Sequence, residues 1–347
     1  MKSLPVVQRH PALRWLVPLI VIATAGAVLV EVFQPDDTSS GVSLPTLSAA
    51  QLVTLVRSSD RQQFTGTAIA QLSPAAANLT ALAAVSAPAT SLVGMAAGSH
   101  TLRVWYGGAS RQRVALIGPL AETDVFRDGT STWQWNSADA VAVHSRTGAA
   151  SSQGIWTATV TPVELADRLL DTARRDTSIS VAGAEEVAGR PAYTLVLRPT
   201  NAGTLVDYAR VALDGRTKTP LAVQIYPRGS GYPALDVSFT DVRFGPVPSS
   251  VFQFRPPAGA KLERGIAPVV MSSEYGSGWT AVVCLHTTRS DIVPGLITDA
   301  PTAVSVEGTW GRGRLVRSDL LTALTTKDGR TFVGPVQPDV LYAAAAQ

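Results

Sequence analysis

The chain has 347 residues, 46% of them hydrophobic and 16% charged, and its 29 Lys and Arg against 26 Asp and Glu give a formal net charge of +3. This is enough apolar sequence for one large domain or two with a sizeable core. The basic residues are scattered among strand-like stretches without interleaved aromatic clusters, which argues against a nucleic-acid partner. The single cysteine excludes an intrachain disulfide.

Lys2, Arg9, His10 and Arg14 precede an uncharged run, Trp15 to Val30, and Glu31, Asp36 and Asp37 follow it. This asymmetry puts the N-terminus in the cytoplasm and everything after residue 35 outside. Sixteen residues span about 24 Å as a helix, against a hydrocarbon core of about 30 Å. Val32 and Phe33, with Glu31 snorkelling, nearly close that gap. Ala23-Thr24-Ala25 and Ala25-Gly26-Ala27 resemble cleavage sites, but cutting there leaves VLVEVF at the new terminus. Residues 1–33 therefore read as a signal anchor, with a cleaved signal peptide and secretion as the alternative. The expected location is the cell membrane, with a single N-terminal span and an extracytoplasmic domain. No cysteine follows the apolar stretch, so a bacterial lipoprotein acylation site is absent.

Residues 34–45, QPDDTSSGVSLP, read as a linker. Ser48 and Gln51 then form a capping box ahead of a helix with Leu52, Val53, Leu55 and Val56 on its apolar stripe. Residues 63–72 are the first expected strand. Residues 73–98 carry no charge and contain Pro74 and Pro88. They read either as a lid over an apolar surface or as a low-complexity insertion. HTLRVWYGGASRQRVALI, residues 100–117, reads as a hairpin turning on Gly107-Gly108. Its Leu102, Val104 and Tyr106 oppose Arg103 and Trp105, which gives one apolar face and one cationic, partly aromatic face. Further strands are expected at 121–127, 131–136 and 140–145. Thr161, Pro162 and Glu164 then open a second helix whose buried stripe is Val163, Leu165, Ala166, Leu169 and Leu170. Strands resume at 178–187, 190–198, 204–213, 219–226, 233–244 and 251–255.

Short strands without crossover helices predict an antiparallel meander. The expected architecture is one large curved sheet of about eleven strands with helices on its concave side. Residues 266–347 form a smaller β-rich module. Its candidate strands are 279–285, 302–310, 314–325 and 330–333, with a last helix at PDVLYAAAA.

Catalytic and cofactor motifs are missing. His10, His100, His144 and His286 lie far apart without metal-ligand spacing. There is no G-x-S-x-G elbow and no P-loop, and GTWGRGRL lacks the spacing of a dinucleotide site. A Ser99/His100/Asp triad can be assembled only on paper. The chain therefore reads as a non-enzyme without metal or other cofactor. Cys284, in WTAVVCL, reads as a small buried hydrophobe. The large apolar sheet face remains, and it demands a cover: ordinary core, or a ligand-filled pocket.

Four stretches together resemble the LolA/RseB superfamily: LSAAQLVTLVRSSDRQQFTGTAIAQ; SHTLRVWYGGASRQRVALIGPLAETDVFRDGTSTWQWNS; VAGRPAYTLVLRP with DGRTKTPLAVQIY; and VFQFRPPAGAKL. Their order spans residues 46–263 and looks most like the LolA-like proteins of high-GC Gram-positive bacteria. The resemblance implies an unclosed antiparallel β-barrel, a half-barrel with a helical lid. It also implies a cavity for a lipid or an acylated protein, as in a lipoprotein carrier. The alternative it implies is an RseB-like envelope-stress sensor or adaptor that binds an anti-sigma factor, with residues 266–347 facing a membrane protein partner. Carriers of this kind have an Arg-Pro pair where this chain reads Tyr106-Gly107. On strand alternation, the expected cavity residues are Leu102, Val104, Tyr106, Val114, Leu116, Trp133 and Trp135. The expected lid residues are Leu79, Leu82, Leu92 and Met95.

Overall fold

Twelve strands form one sheet in a computed structural model that describes residues 44–58, 61–74, 98–146, 160–173, 176–264, 271–286 and 302–347. In chain order these strands are β1 (Phe64–Leu72), β2 (Gly98–Tyr106), β3 (Arg111–Ile117), β4 (Glu122–Asp128), β5 (Ser131–Asn136) and β6 (Val141–Arg146), then β7 (Thr177–Val187), β8 (Arg190–Pro199), β9 (Val206–Asp214), β10 (Pro220–Pro227), β11 (Leu235–Phe244) and β12 (Lys261–Arg264). Their spatial order is β12-β6-β5-β4-β3-β2-β1-β11-β10-β9-β8-β7. The two end strands do not pair, so the curled sheet is not closed into a barrel. Every pairing is antiparallel except that of β12 with β6.

The apolar periodicity and the capping boxes place two helices on the concave side. α1 (Ala49–Ser58) starts with Ser48 N donating to Gln51 Oε1 at 2.8 Å and Gln51 N donating to Ser48 Oγ at 3.3 Å. It buries Leu52 and Val56, while Leu55 faces solvent. α2 (Pro162–Thr172) has Pro162 in its first turn, where a missing N–H costs nothing. Glu164 N donates to Thr161 Oγ1 at 3.2 Å, and all five residues of the expected stripe are buried. α2 lies over β10 and β11, and α1 packs against β7. The core is therefore the layer between the helices and the concave face, with Phe64, Leu102, Leu195, Val211, Val223 and Val237 among its sheet members. Burying each of these large side chains is worth about 1.5–3 kcal/mol. Two residues of the expected linker are seated on this unit. Leu44 packs on the core, and the Pro45 carbonyl accepts from Tyr193 Oη at 2.8 Å.

Several expected elements differ. The hairpin turns through four residues, 107–110, with Gly107 N donating to the Arg111 carbonyl at 2.8 Å. No strand forms at 251–255. Ser249–Phe252 is a 3-10 turn, and the chain then runs irregularly through Pro256 and Pro257, which lack the N–H a ladder needs. The expected strand 314–325 is two strands reversing through Ser318, whose Oγ accepts from Leu321 N at 3.0 Å.

The C-terminal sheet has six antiparallel strands: β13 (Met271–Tyr275), β14 (Val282–His286), β15 (Val304–Gly308), β16 (Gly311–Arg317), β17 (Thr322–Thr326) and β18 (Thr331–Gly334), in the order β13-β14-β18-β17-β16-β15. Cys284 is buried there among Val282, Leu324 and Phe332, beneath α3 (Pro338–Ala345). Both sheets belong to one unit, Leu44–Gln347. Leu205 N donates to the Pro335 carbonyl and Gln337 N to the Gly203 carbonyl, each at 2.8 Å.

Candidate functional site

The concave wall is built by strand alternation. Across β1 to β3, Ala68 pairs with Leu102, which pairs with Leu116; Val104 pairs with Val114, and Phe64 with Tyr106. Leu102, Val104, Tyr106 and Val114 are buried and Leu116 is half-buried. The Tyr106 ring stacks on Phe64 at 5.2 Å, and Phe64 meets Phe239 edge-on at 5.6 Å. Gly66 permits this close packing, since a Cβ there would lie 2.9 Å from the Phe239 ring. Further along, the same face carries Val125, then half-buried Gln134 and Val143 on β5 and β6. The wall is apolar in its middle and grows polar towards β6.

A polar seam fastens α2 over this wall. Arg61, just before β1, makes a two-pronged ion pair with Asp167 of α2, with Nη1 donating to Oδ2 at 2.7 Å and Nη2 to Oδ1. Burial works against the Arg61 charge, but Asp167, with help from the Tyr106 hydroxyl, outweighs it and raises the guanidinium's pKa. Burial also pushes the Asp167 carboxyl up, against the pull of Arg61. Arg57 Nη2 donates to the Leu170 carbonyl at 2.6 Å. Arg61 Nε is buried and has no partner among the described residues. The guanidinium groups bonded to α2 thus come from Arg57 and Arg61; periodicity does not mark Arg61, whose sequence signal is a cation at the junction of a helix and a strand.

Trp133 and Trp135 do not join this wall. Arg113 pairs with Phe126, Phe126 with Trp133, and Trp133 with His144, so both tryptophans lie on the opposite, convex face. Alternation within β5 puts them together, but the face they share depends on the lengths of the two preceding turns. The cationic side of the opening hairpin is not simply solvated either. Residues 249–257 run over it, and Phe254 packs on Phe126 at 4.8 Å and Trp133 at 5.4 Å between ring centres. Phe252 is buried against Gly107, where a Cβ would sit 2.7 Å from its ring. Arg113 lies between the Trp105 and Phe126 rings at 4.5 and 4.6 Å, and its Nε donates to Asp124 Oδ1 at 2.8 Å. Burial, only partly offset by Arg113, pushes the Asp124 carboxyl up to about 6.

Leu79, Leu82, Leu92 and Met95 lie outside the described residues, as does the N-terminal apolar run. Among the described residues no group of His, Cys, Asp or Glu side chains is placed to hold a metal ion, and no helix is long and apolar enough to cross a membrane.

The open, curled antiparallel sheet with two helices against its concave face defines a half-barrel. The chain is similar to the MucA/MucB complex of Pseudomonas aeruginosa, at 17% identity over 85% of this chain and 94% of that one, with a TM-score of 0.43. It is similar to a LolA superfamily protein of Nitrosomonas europaea at 11% identity over 60% and 99%, with a TM-score of 0.25. It is also similar to LprF of Mycobacterium bovis at 9% identity over 60% and 98%, with a TM-score of 0.31. No family model and no curated sequence matches the chain.

Proposed function

We propose that this chain is an extracytoplasmic, non-enzymatic protein that binds a lipid or a lipoprotein acyl chain against the concave wall of its half-barrel, as a LolA-like carrier. The observation that supports this is the breadth of the apolar wall relative to its helical cover. Seven strands, β1–β3 and β8–β11, spaced about 4.8 Å apart, make a wall about 34 Å wide. α2, about 10 Å in diameter, lies over β10 and β11, and α1 packs against β7. α2 is held by its buried apolar stripe, by the Arg61–Asp167 pair at its edge and by the bond from Arg57 to the Leu170 carbonyl. An acyl chain that displaces α2 regains about 0.8 kcal/mol for each CH₂ it buries. In this reading Leu102, Val104, Tyr106, Val114 and Leu116 are the wall, and Leu79, Leu82, Leu92 and Met95 are the lid. Residues 1–33 hold the 46–263 domain at the membrane.

Native mass spectrometry of the protein taken from its own envelope tests this. The expected spectrum carries one or a few co-purifying lipid masses, which disappear when Val104→Asp charges the wall. A spectrum of apoprotein alone, unaltered by added phospholipid or lipopeptide, overturns the reading.

A second reading, an RseB-like adaptor for a membrane protein such as an anti-sigma factor, is favoured by the way residues 266–347 are tied in. Trp279, in the 3-10 turn Gly278–Thr280, is buried in the core of the large sheet beside the end of α2. A photo-crosslinking residue at Val304, which is 54% exposed on edge strand β15, should then capture a membrane protein in a yield that changes when lipid is added. A yield indifferent to lipid removes the adaptor reading.

A further inference from the structure

The two most exposed large apolar side chains among the described residues share one end of the half-barrel. Leu120, in the turn from β3 to β4, is 100% exposed, and Tyr232, in the turn from β10 to β11, is 82% exposed. Leu72 at the end of β1 pairs with Leu235 of β11 on one side and with Gly98 of β2 on the other, and Thr101 of β2 pairs with Ile117 of β3. The turn that follows Ile117 and the turn that precedes Leu235 therefore lie at the same end. Three strand spacings separate β3 from β11, about 14 Å along the sheet. Neither side chain is exposed by a slack loop. Gly118 N donates to the Ala121 carbonyl at 2.8 Å, which leaves Pro119 and Leu120 at the tip of a tight turn. In the second turn, Tyr232 N donates to Ser230 Oγ at 3.1 Å, Ser230 Oγ donates to the Tyr232 carbonyl at 2.9 Å, and Pro233 follows.

Single exposed hydrophobic residues are ordinary on a protein surface, but two fixed tips at one end of a sheet can enter one partner together. Neither turn, GPLA at 118–121 or RGSGYP at 228–233, contains an acidic residue, and Ile117 at the foot of the first is 37% exposed. The chain leaves β1 at Leu72 and returns at Gly98 between the two turns, and residues 73–98 are uncharged in sequence. A protein partner would need a separate pocket shaped to each tip. A bilayer needs none, because hydrocarbon has no fixed shape to match. Leucine suits the acyl region, and tyrosine, with an apolar ring and a polar hydroxyl, suits the headgroup level. We propose that this end of the half-barrel docks on a lipid bilayer, with Leu120 among the acyl chains and Tyr232 at the interface. The apolar tips carry the contact, so zwitterionic lipid suffices. Two side chains bury little area, so the attachment is weak and reversible, and it is read by position on the protein rather than by total binding.

The test uses the full chain carrying Leu120→Cys, labelled there with the environment-sensitive fluorophore nitrobenzoxadiazole. Cys284 is buried, and the wild type gives its background. In phosphatidylcholine vesicles the emission should move to shorter wavelength and be quenched by lipids brominated on their acyl chains. The same label introduced through Thr240→Cys, exposed further along β11, should show neither effect. Adding Tyr232→Asp to the Leu120→Cys protein should remove most of the shift with an unchanged circular dichroism spectrum. A label at position 120 that stays in water, one at position 240 that shifts as much, or a shift indifferent to Tyr232→Asp overturns the inference. The native mass spectrum reports on the concave wall and the label on the turns, so the two proposals fail separately.

Discussion

Asp124 is 3% exposed, yet it is a carboxylate with a single arginine for company on the next strand and Glu122 two residues away on its own strand. Burial opposes ionisation more strongly than Arg113 favours it, which puts the group near 6 against an ordinary value of 3.8. The folded chain therefore holds the proton more tightly than the unfolded chain does. Stability from this group is full below the unfolded pKa and is lost as pH rises through the folded one. Relative to Asp124→Asn, which keeps an acceptor for Arg113 Nε, the wild type should lose up to about 1.4 kcal/mol for each pH unit between about pH 4 and 6, and nothing further above that. Urea unfolding of both proteins across pH 4.5 to 7.5 measures the difference. Parallel curves would mean that Asp124 titrates as an ordinary surface carboxylate.

Among the elements, α2 is the one whose ends and faces are most completely specified by local chemistry. Thr161 caps it, Pro162 starts it, and every residue of its apolar stripe is buried. Thr161→Ala should cost about 1 kcal/mol in the denaturant midpoint; a cost near zero would mean that tertiary packing alone holds the helix start. Such capping and alternation signals are local, and they are why both capped helices, the antiparallel character of the sheet and the apolar side of β2 can be read from sequence. What cannot be read depends on contacts distant in the chain. The face that Trp133 and Trp135 share follows from the count of residues in two turns. The parallel docking of Lys261–Arg264 on β6 and the passage of Phe254 over Phe126 follow from where a proline-broken segment happens to lie. The pairing of Arg61 with Asp167 joins residues 106 positions apart, and no periodicity announces it.

At the scale of the whole molecule, the two sheets should unfold as one body, because they share core as well as backbone bonds. Trp279 is contributed by the C-terminal sheet's segment but is 5% exposed within the core of the large sheet, and its Nε1 donates to Thr177 Oγ1 at 2.7 Å. Removing an aromatic side chain from such a site costs about 3–5 kcal/mol, a large part of the about 5–15 kcal/mol that holds a typical domain together. The backbone bonds of Leu205 with Pro335 and of Gln337 with Gly203 remain after the substitution, but each contributes only about 1 kcal/mol net. Apolar contact is therefore what makes the two sheets cooperate. Calorimetry of the wild type should show a single transition, whereas Trp279→Ala should show two, with the C-terminal sheet, whose own cores are smaller, melting first. Trp279→Phe, which keeps an aromatic ring in the core but loses part of the indole and the bond to Thr177, should retain one transition at a lower temperature. Hydrogen exchange assigns the steps: in Trp279→Ala, protection of β14 and β18 should be lost at a temperature where β8 to β10 remain protected. If both sheets still melt together in that variant, Trp279 is a passenger and cooperativity resides in the bridge from Gly203–Leu205 to Pro335–Gln337.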